Sequence, residues 1–149
     1  MMRSSRITME GKIVIHEAKL HLDSAQLLND MDTTGCGAIV SFLGITQQME
    51  GEHEVYHLEF DAWEDQLSPV LNKLALQAIE QFGVTCIGMA HRIGKVLANE
   101  PIVAIHVGSP HRKEAFDACE WLIDTLKIQA PLWKKEVTSG GSTWKEGLG

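Results

Sequence analysis

Only three of the 149 residues are cysteines, Cys36, Cys86 and Cys119. An odd, widely spaced set with no Cys-x-x-Cys supports neither a disulfide framework nor a zinc ribbon. It reads as small apolar side chains in a reducing cytoplasm. Positive charge is scarce too: thirteen Lys+Arg against twenty Asp+Glu leave a formal charge of −7. That is the wrong sign for a general binder of nucleic acid or of anionic membrane surfaces. Long apolar runs are missing. Gly37–Ile45 and Ile102–Gly108 each have fewer than ten residues, against the ~20 needed to span a bilayer. No apolar segment follows Met1-Met2-Arg3-Ser4-Ser5-Arg6, so no secretory signal is expected. The chain also lacks G-x-x-x-x-G-K-[ST], G-x-G-x-x-G and G-x-S-x-G, which argues against the familiar nucleotide and hydrolase sites.

What is present suits one globular domain, 16.5 kDa and 44% hydrophobic, with enough chain for a sizeable core. Residues 1–11 are polar and aperiodic, a flexible lead-in; residues 12–149 form the domain. Lys12–His16 alternates as a first strand, and Asp23-Ser24 caps a short helix through Asn29 with Leu27 and Leu28 inward. Ala38–Ile45 reads as a buried strand and Gln47–Glu54 as a polar loop turning at Gly51. From Val55 to Trp63 the alternation gives a strand with one polar face.

Glu64–Phe82 has a helical period, with Pro69 near its start and Gly83 as its stop. Val84–Ile93 and Ile102–Val107 are two further strands joined by a loop through Lys95–Glu100. His111 to about Lys127 is the clearest helix, with Ala115, Cys119, Leu122 and Leu126 on its stripe and Phe116 and Ile123 widening it. Pro131 ends it, and Gly140-Gly141 is placed for a hairpin turn. Pairs of strands between helices favour α+β, with antiparallel pairs and helices on one face; a doubly wound sheet is the weaker alternative.

The last third of this acidic chain carries its cations in two groups. Lys127, Lys134 and Lys135 surround the Ala130-Pro131-Leu132-Trp133 bend. They form either a fixed pocket for an anion such as phosphate, carboxylate or thiocarboxylate, or a solvated basic helix end favoured by the macrodipole. His111 and Arg112 open the long helix, where free N–H groups make an anion site; the alternative is a helix start without a ligand. His111 and Lys127 are sixteen residues apart, ~24 Å at 1.5 Å per residue. They cannot line one small pocket within a chain but can meet across a two-fold interface. His53 and His57 would stand about 13 Å apart on a strand, with no third ligand, so no metal is expected. His91-Arg92-Ile93-Gly94 reads as turn and scaffold. Phe42 is either core or the wall of a pocket.

Several blocks then come in a telling order: Gly37-Ala-Ile-Val-Ser-Phe-Leu-Gly44, Leu58-Glu59 with Asp61-Ala-Trp63, His91-Arg-Ile-Gly94, His111-Arg112 with Ala115-Phe116, Asp124 with Leu126-Lys127, and Pro131-Leu-Trp-Lys-Lys-Glu136. Over about residues 35–146 the chain resembles the large, catalytic subunit of molybdopterin synthase. The resemblance implies an α/β-hammerhead-like α+β fold with additional antiparallel β structure. It implies a cytoplasmic sulfurtransferase that builds the dithiolene of molybdopterin from cyclic pyranopterin monophosphate. The sulfur would come from the thiocarboxylated Gly-Gly C-terminus of a small ubiquitin-like subunit. The implied assembly is a homodimer of large subunits within a heterotetramer, and the step needs no metal or cofactor.

On the same resemblance Lys127 and Lys134 are the catalytic residues. Lys135 and Glu136 lie beside the substrate, as do Ile45, Thr46 and Gln47, and His111 and Arg112 of the neighbouring subunit contact the pterin phosphate. One departure bears on this. The family strand continues into an Arg that contacts substrate, and this chain has Gln47 there. Losing a charge-assisted hydrogen bond costs ~1.5–3 kcal/mol of binding. The basic tail expected beyond Trp144 is short as well. Both leave open an alternative, a non-catalytic or altered-substrate relative that docks a ubiquitin-like Gly-Gly tail.

Overall fold

The computed structural model describes residues 11–62 and 65–146. In chain order they form β1 (Ile13–Ala18), α1 (Ser24–Asp30), β2 (Ala38–Ile45), β3 (Met49–Glu50), β4 (His53–Ala62), α2 (Leu67–Phe82), β5 (Cys86–Arg92), β6 (Gly94–Leu97), β7 (Pro101–Ser109), α3 (Arg112–Gln129), β8 (Leu132–Thr138) and β9 (Gly141–Glu146). Of the expected lead-in only Gly11 is described. It sits in a turn whose carbonyl accepts from Asp32 N at 2.8 Å; residues 1–10, like Trp63 and Glu64, lie outside the described residues.

The strands make two sheets. The first has the order β1-β5-β7-β2, and only its β1–β5 pair is parallel. The second has the order β3-β4-β8-β9, with β6 also on β4, and is antiparallel throughout. This is the α+β arrangement, and a single parallel pair excludes the doubly wound alternative.

Beneath one face of the first sheet Ile87, Met89, Ile105 and Val107 meet Leu71 and Leu74 of α2, Leu122 and Leu126 of α3, and Leu58 and Phe60 of the second sheet in one continuous core. The other face is covered by α1, whose Leu27 packs on Ala90 and Ala104. Helices therefore lie on both faces, not on one. The buried His106 ties α1 down: its Nε2 donates to the Ser24 carbonyl at 2.8 Å and its Nδ1 accepts from Ser41 Oγ at 2.6 Å.

Four expectations are corrected. β2 is an edge strand, not a buried one, and leaves Ile39, Leu43 and Ile45 exposed. The expected loop at Lys95–Glu100 begins as strand β6, because Gly94 takes a left-handed turn (φ 85°) that folds the chain back onto β4. Alternation along β4 changes phase. Its register with β8 shifts between Val55 and His57, a bulge that turns Tyr56 outward and returns Val55 to the core with Leu58 and Phe60. Phe116 is 58% exposed and does not widen the buried stripe of α3, which is Ala115, Ala118, Cys119, Leu122 and Leu126.

The three cysteines are free thiols, with Cys86 and Cys119 buried and Cys36 half-buried. Burial pushes Cys86 up to about 12 and Cys119 up to about 11, so both stay protonated and unreactive at neutral pH. Among the described residues no helix is long and apolar enough to cross a membrane.

The start of α3 is set by a backbone contact. Gly37 N donates to the Ser109 carbonyl at 3.0 Å, and a Cβ on Gly37 would stand 2.5 Å from the Pro110 carbonyl oxygen. Gly37→Ala should therefore destabilise the protein by about 1–3 kcal/mol through overpacking against main chain, measured as the shift of a urea unfolding curve.

Candidate functional site

Chain direction places the two cation groups at opposite ends of the molecule. His111 is the N-cap of α3, Arg112 is its first residue and Lys127 stands in its last turn. Gly37, Ala38, Pro110, His111, Arg112 and Lys113 line a shallow concavity of ≈ 520 Å³. This lies at the Ala38 end of β2, whereas the lysine site lies at its Ile45 end. A strand of that length covers about 23 Å, close to the helix estimate made from the sequence. Within one chain the two groups do not meet.

At the Ile45 end Lys127 and Lys134 converge. The helix stops at Gln129, where Ala130 N donates to the Leu126 carbonyl at 3.0 Å, and Pro131 leads straight into β8. Alternation along β8 puts Leu132, Lys134 and Glu136 on one side and Trp133 and Lys135 on the other. Lys127 and Lys134 thereby share a cavity of ≈ 150 Å³, walled by Phe42, Phe60, His91 and Ile123. Phe42 both packs against the core and lines this cavity, so its two readings hold together. Gly44 makes the wall possible: a Cβ there would lie 2.6 Å from Val103 Cγ1 and 3.3 Å from the Phe42 ring.

A second cavity of ≈ 330 Å³ adjoins the first, sharing Ile45, Ile102 and Lys134. It is polar, with Thr46, Gln47, Glu50, Glu136 and Lys145 on its walls. Ile45, Thr46, Gln47, Lys134 and Glu136, all singled out from sequence, are thus brought together. Thr46 Oγ1 is buried and makes no hydrogen bond among the described residues. Lys135 is not part of this group. It lies on the far side of β8, 3.9 Å from Glu59 and 5.6 Å from the Trp144 ring centre, and lines neither cavity.

Glu136 is the electrostatic centre. Its Oε1 lies 3.3 Å from Lys134 Nζ and 3.2 Å from Lys145 Nζ, and Lys145 also reaches Glu50 at 3.7 Å. Burial pushes the Glu136 carboxyl up, but hydrogen bonds from Glu50, Lys145 and Lys134 outweigh it, and the group sits below the ordinary carboxylate range. Glu50 is raised by its hydrogen bond to Glu136, by burial and by the charge of Glu136. The two carboxyls thus shift in opposite directions, Glu50 up and Glu136 down.

Sequence reasoning missed Lys145, Glu50, Phe60 and His91. The hairpin turns at Ser139-Gly140, one residue before the expected Gly140-Gly141, and this is what pairs Lys145 with Lys134; the expected turn would have set Lys145 opposite Glu136. For Glu50 and Phe60 no local pattern existed. The His91-Arg92 block was read as scaffold, and for Arg92 this holds. Its guanidinium donates to the Ala18, Lys19 and Lys95 carbonyls. His91 instead faces the lysine cavity. His53 packs over Gly140 and His57 lies 3.5 Å from Glu59. No cluster of three or more side chains disposed for a metal occurs among the described residues.

The chain is similar to known proteins over most of its length. The family model described as MoaE protein matches residues 15–129. A molybdopterin synthase catalytic subunit from Pseudomonas aeruginosa is 36% identical over 127 residues, covering 84% of this chain and 85% of that protein. One from Arabidopsis thaliana is 35% identical over 134 residues, covering 90% and 68%. The crystal structure of molybdopterin synthase from Staphylococcus aureus superposes with a TM-score of 0.79 at 29% identity, covering 91% of this chain and 96% of that one. A complex of subunits 1 and 2 of molybdopterin-converting factor from Helicobacter pylori gives a TM-score of 0.69 at 26% identity, covering 89% and 88%.

The cavity histidine makes stability depend on pH. Burial lowers His91 from 6.5 to about 4, against the raising effect of its bond to the Arg92 carbonyl. Between those values the unfolded chain binds a proton that the folded chain refuses. The stabilisation is complete above pH 6.5 and is lost as pH falls to about 4, roughly 3 kcal/mol in all. Urea unfolding midpoints followed across that range should fall for the wild type and fall distinctly less for His91→Phe.

Proposed function

The chain belongs to the MoaE protein family, the catalytic subunits of molybdopterin synthase, and from that premise we propose how its two cavities divide the work. The observation that carries the reading is the convergence of Lys127 and Lys134, from different elements, in one small apolar cavity that opens beside a larger polar one. The small cavity receives the C-terminus of a ubiquitin-like sulfur carrier, ending in Gly-Gly and charged as a thiocarboxylate. The polar cavity holds the pterin precursor.

Lys127 engages the thiocarboxylate and assists, by proton transfer, attack of its sulfur on the precursor; water admitted afterwards cleaves the acyl–sulfur bond, so the sulfur stays on the pterin and the carrier leaves as its carboxylate. Lys134 stands between the cavities, its amine directed by Glu136, and holds the anionic groups together. The substrate is cyclic pyranopterin monophosphate and the product is molybdopterin. The apolar walls exclude water from the sulfur-bearing tip, which strengthens every charge interaction there. We place the reaction in the cytoplasm, in keeping with three unpaired thiols.

The phosphate calls for the second cation group. His111 and Arg112 are about a helix length away in the same chain, so they serve the pocket of a second copy, within a dimer that carries one small subunit at each end. The exposed apolar side chains Ile39, Leu43 and Ile45 on the edge strand β2 suit such an association. Lys145 makes up for Gln47: it lines the same polar cavity and supplies the positive charge that a glutamine lacks.

A second reading, a relative that docks the tail without turnover, is motivated by Gln47. Reconstitution with thiocarboxylated carrier and precursor separates the two. Dithiolene product supports the synthase, whereas well-folded, carrier-bound protein that makes none leaves only the docking reading.

Three outcomes are expected. Lys127→Ala should abolish turnover while the melting temperature changes little, since an exposed helix-end lysine adds little packing; near-normal turnover would remove the role given to it. A mixed dimer with Arg112→Ala on one subunit and Lys127→Ala on the other keeps one intact pocket, so it should retain about half the wild-type rate while either homodimer is inactive. Lys145→Ala should raise KM for the precursor about tenfold, the loss of ~1.4 kcal/mol of charge-assisted binding, with kcat much less affected.

A further inference from the structure

One polar group in the lysine cavity has no part in the chemistry described so far. His91 is 1% exposed and stands edge-on to Phe60, ring centres 5.1 Å apart at 83°. Its Nδ1 lies 2.6 Å from the Arg92 carbonyl oxygen. A carbonyl only accepts, so Nδ1 carries the ring proton and Nε2 presents a lone pair. That Nε2 is buried and has no hydrogen-bond partner among the described residues. Burial keeps the ring neutral at physiological pH.

An orphaned acceptor on the wall of a cavity indicates what the cavity takes. Its remaining side chains are apolar apart from Lys127 and Lys134, and a charged ammonium donates but cannot accept. Two donors, and a ring whose one acceptor is unpaired, thus line a cavity of ≈ 150 Å³, the space of about five water molecules. An anionic chain end satisfies the donors. A peptide buried behind that end brings N–H groups, each of which needs an acceptor once removed from water. The pterin has the larger polar cavity, so the small one is left for a chain without side chains.

We infer that His91 is a recognition residue for the peptide tail, its Nε2 accepting a peptide N–H of the glycine-ended terminus while Lys127 and Lys134 hold the anionic tip. This rests on the proposed entry of a carrier tail into the cavity. It adds the group that reads the tail as a peptide. Small anions that satisfy the lysines alone leave Nε2 unpaired, so the site discriminates against them.

The test uses the full-length chain with two probes: a ubiquitin-like sulfur-carrier protein ending in Gly-Gly, in its carboxylate form, and the same protein lacking its last two residues. Calorimetric affinities should show that the wild type prefers the intact carrier. His91→Phe should reduce that preference about tenfold, the effect of one lost hydrogen bond, without changing affinity for the shortened carrier. His91→Gln, which restores an acceptor, should recover most of it.

In wild-type protein labelled with 15N-histidine, the Nε2 resonance should move upfield when intact carrier is added and stay in place with the shortened one. This measurement decides the matter even where a variant does not fold. Normal binding of intact carrier with an unmoved Nε2 resonance, or full preference retained by His91→Phe, would overturn the role of His91 and leave tail insertion standing. A wild type that does not distinguish the two carriers would overturn tail insertion itself and this inference with it.

Discussion

The antiparallel pairing of β8 with β4 is the constraint on which the site rests. Phe60 faces Lys134 across that ladder and Leu58 faces Glu136. The same register that buries Leu58 and Phe60 in the core therefore draws one lysine and one carboxylate to the rim of the core. A slip by one residue would exchange Lys134 for Lys135 and send the carboxylate to the opposite face. Glu136 is held by the ammonium groups of Lys134 and Lys145. Removing either lysine would leave a buried charge with less compensation, so the cluster is needed for local order as well as for binding.

The two cavities share Lys134 but differ in solvation. The one that Lys127 completes is almost wholly apolar, and a charge brought into it is poorly screened. The adjoining one offers hydroxyl, amide, carboxylate and amine groups, which suits a polar heterocycle. Under the proposed function this division puts the nucleophile where it gains from desolvation and the acceptor where specific hydrogen bonds are on offer. The remote His111–Arg112 concavity enters that proposal only through a second copy.

Much of this was legible in advance, for identifiable reasons. The strands β5 and β7 and the helix α3 announced themselves by apolar composition and period, since burial on one or two faces leaves a mark at every turn or alternate residue. The hairpin near Gly140-Gly141 was visible from its glycines, although the turn falls one residue earlier, at Ser139-Gly140, and Gly141 takes the positive φ. Lys127, Lys134, Gln47 and Arg112 stood out through a family pattern. Edge position was not legible in β2: Ile39, Leu43 and Ile45 are as apolar as any core run, and only the absence of a neighbouring strand exposes them. The bulge at Tyr56 and the short strand β6 were hidden for a similar reason, both depending on which strand lies alongside.

Composition, period and spacing by themselves determined an α+β fold with cations at the two ends of its last helix, too far apart to act together within a chain. Those are local facts, set by residue type and by the rise of a helix. Only the tertiary structure decided that Lys134 turns inward and Lys135 outward, that Lys145 lines the same cavity as Gln47, and that His91, with an unpaired ring nitrogen, lines the lysine cavity. Each of these depends on register and on contacts between residues distant in the chain. No window along the sequence contains both members of such a contact.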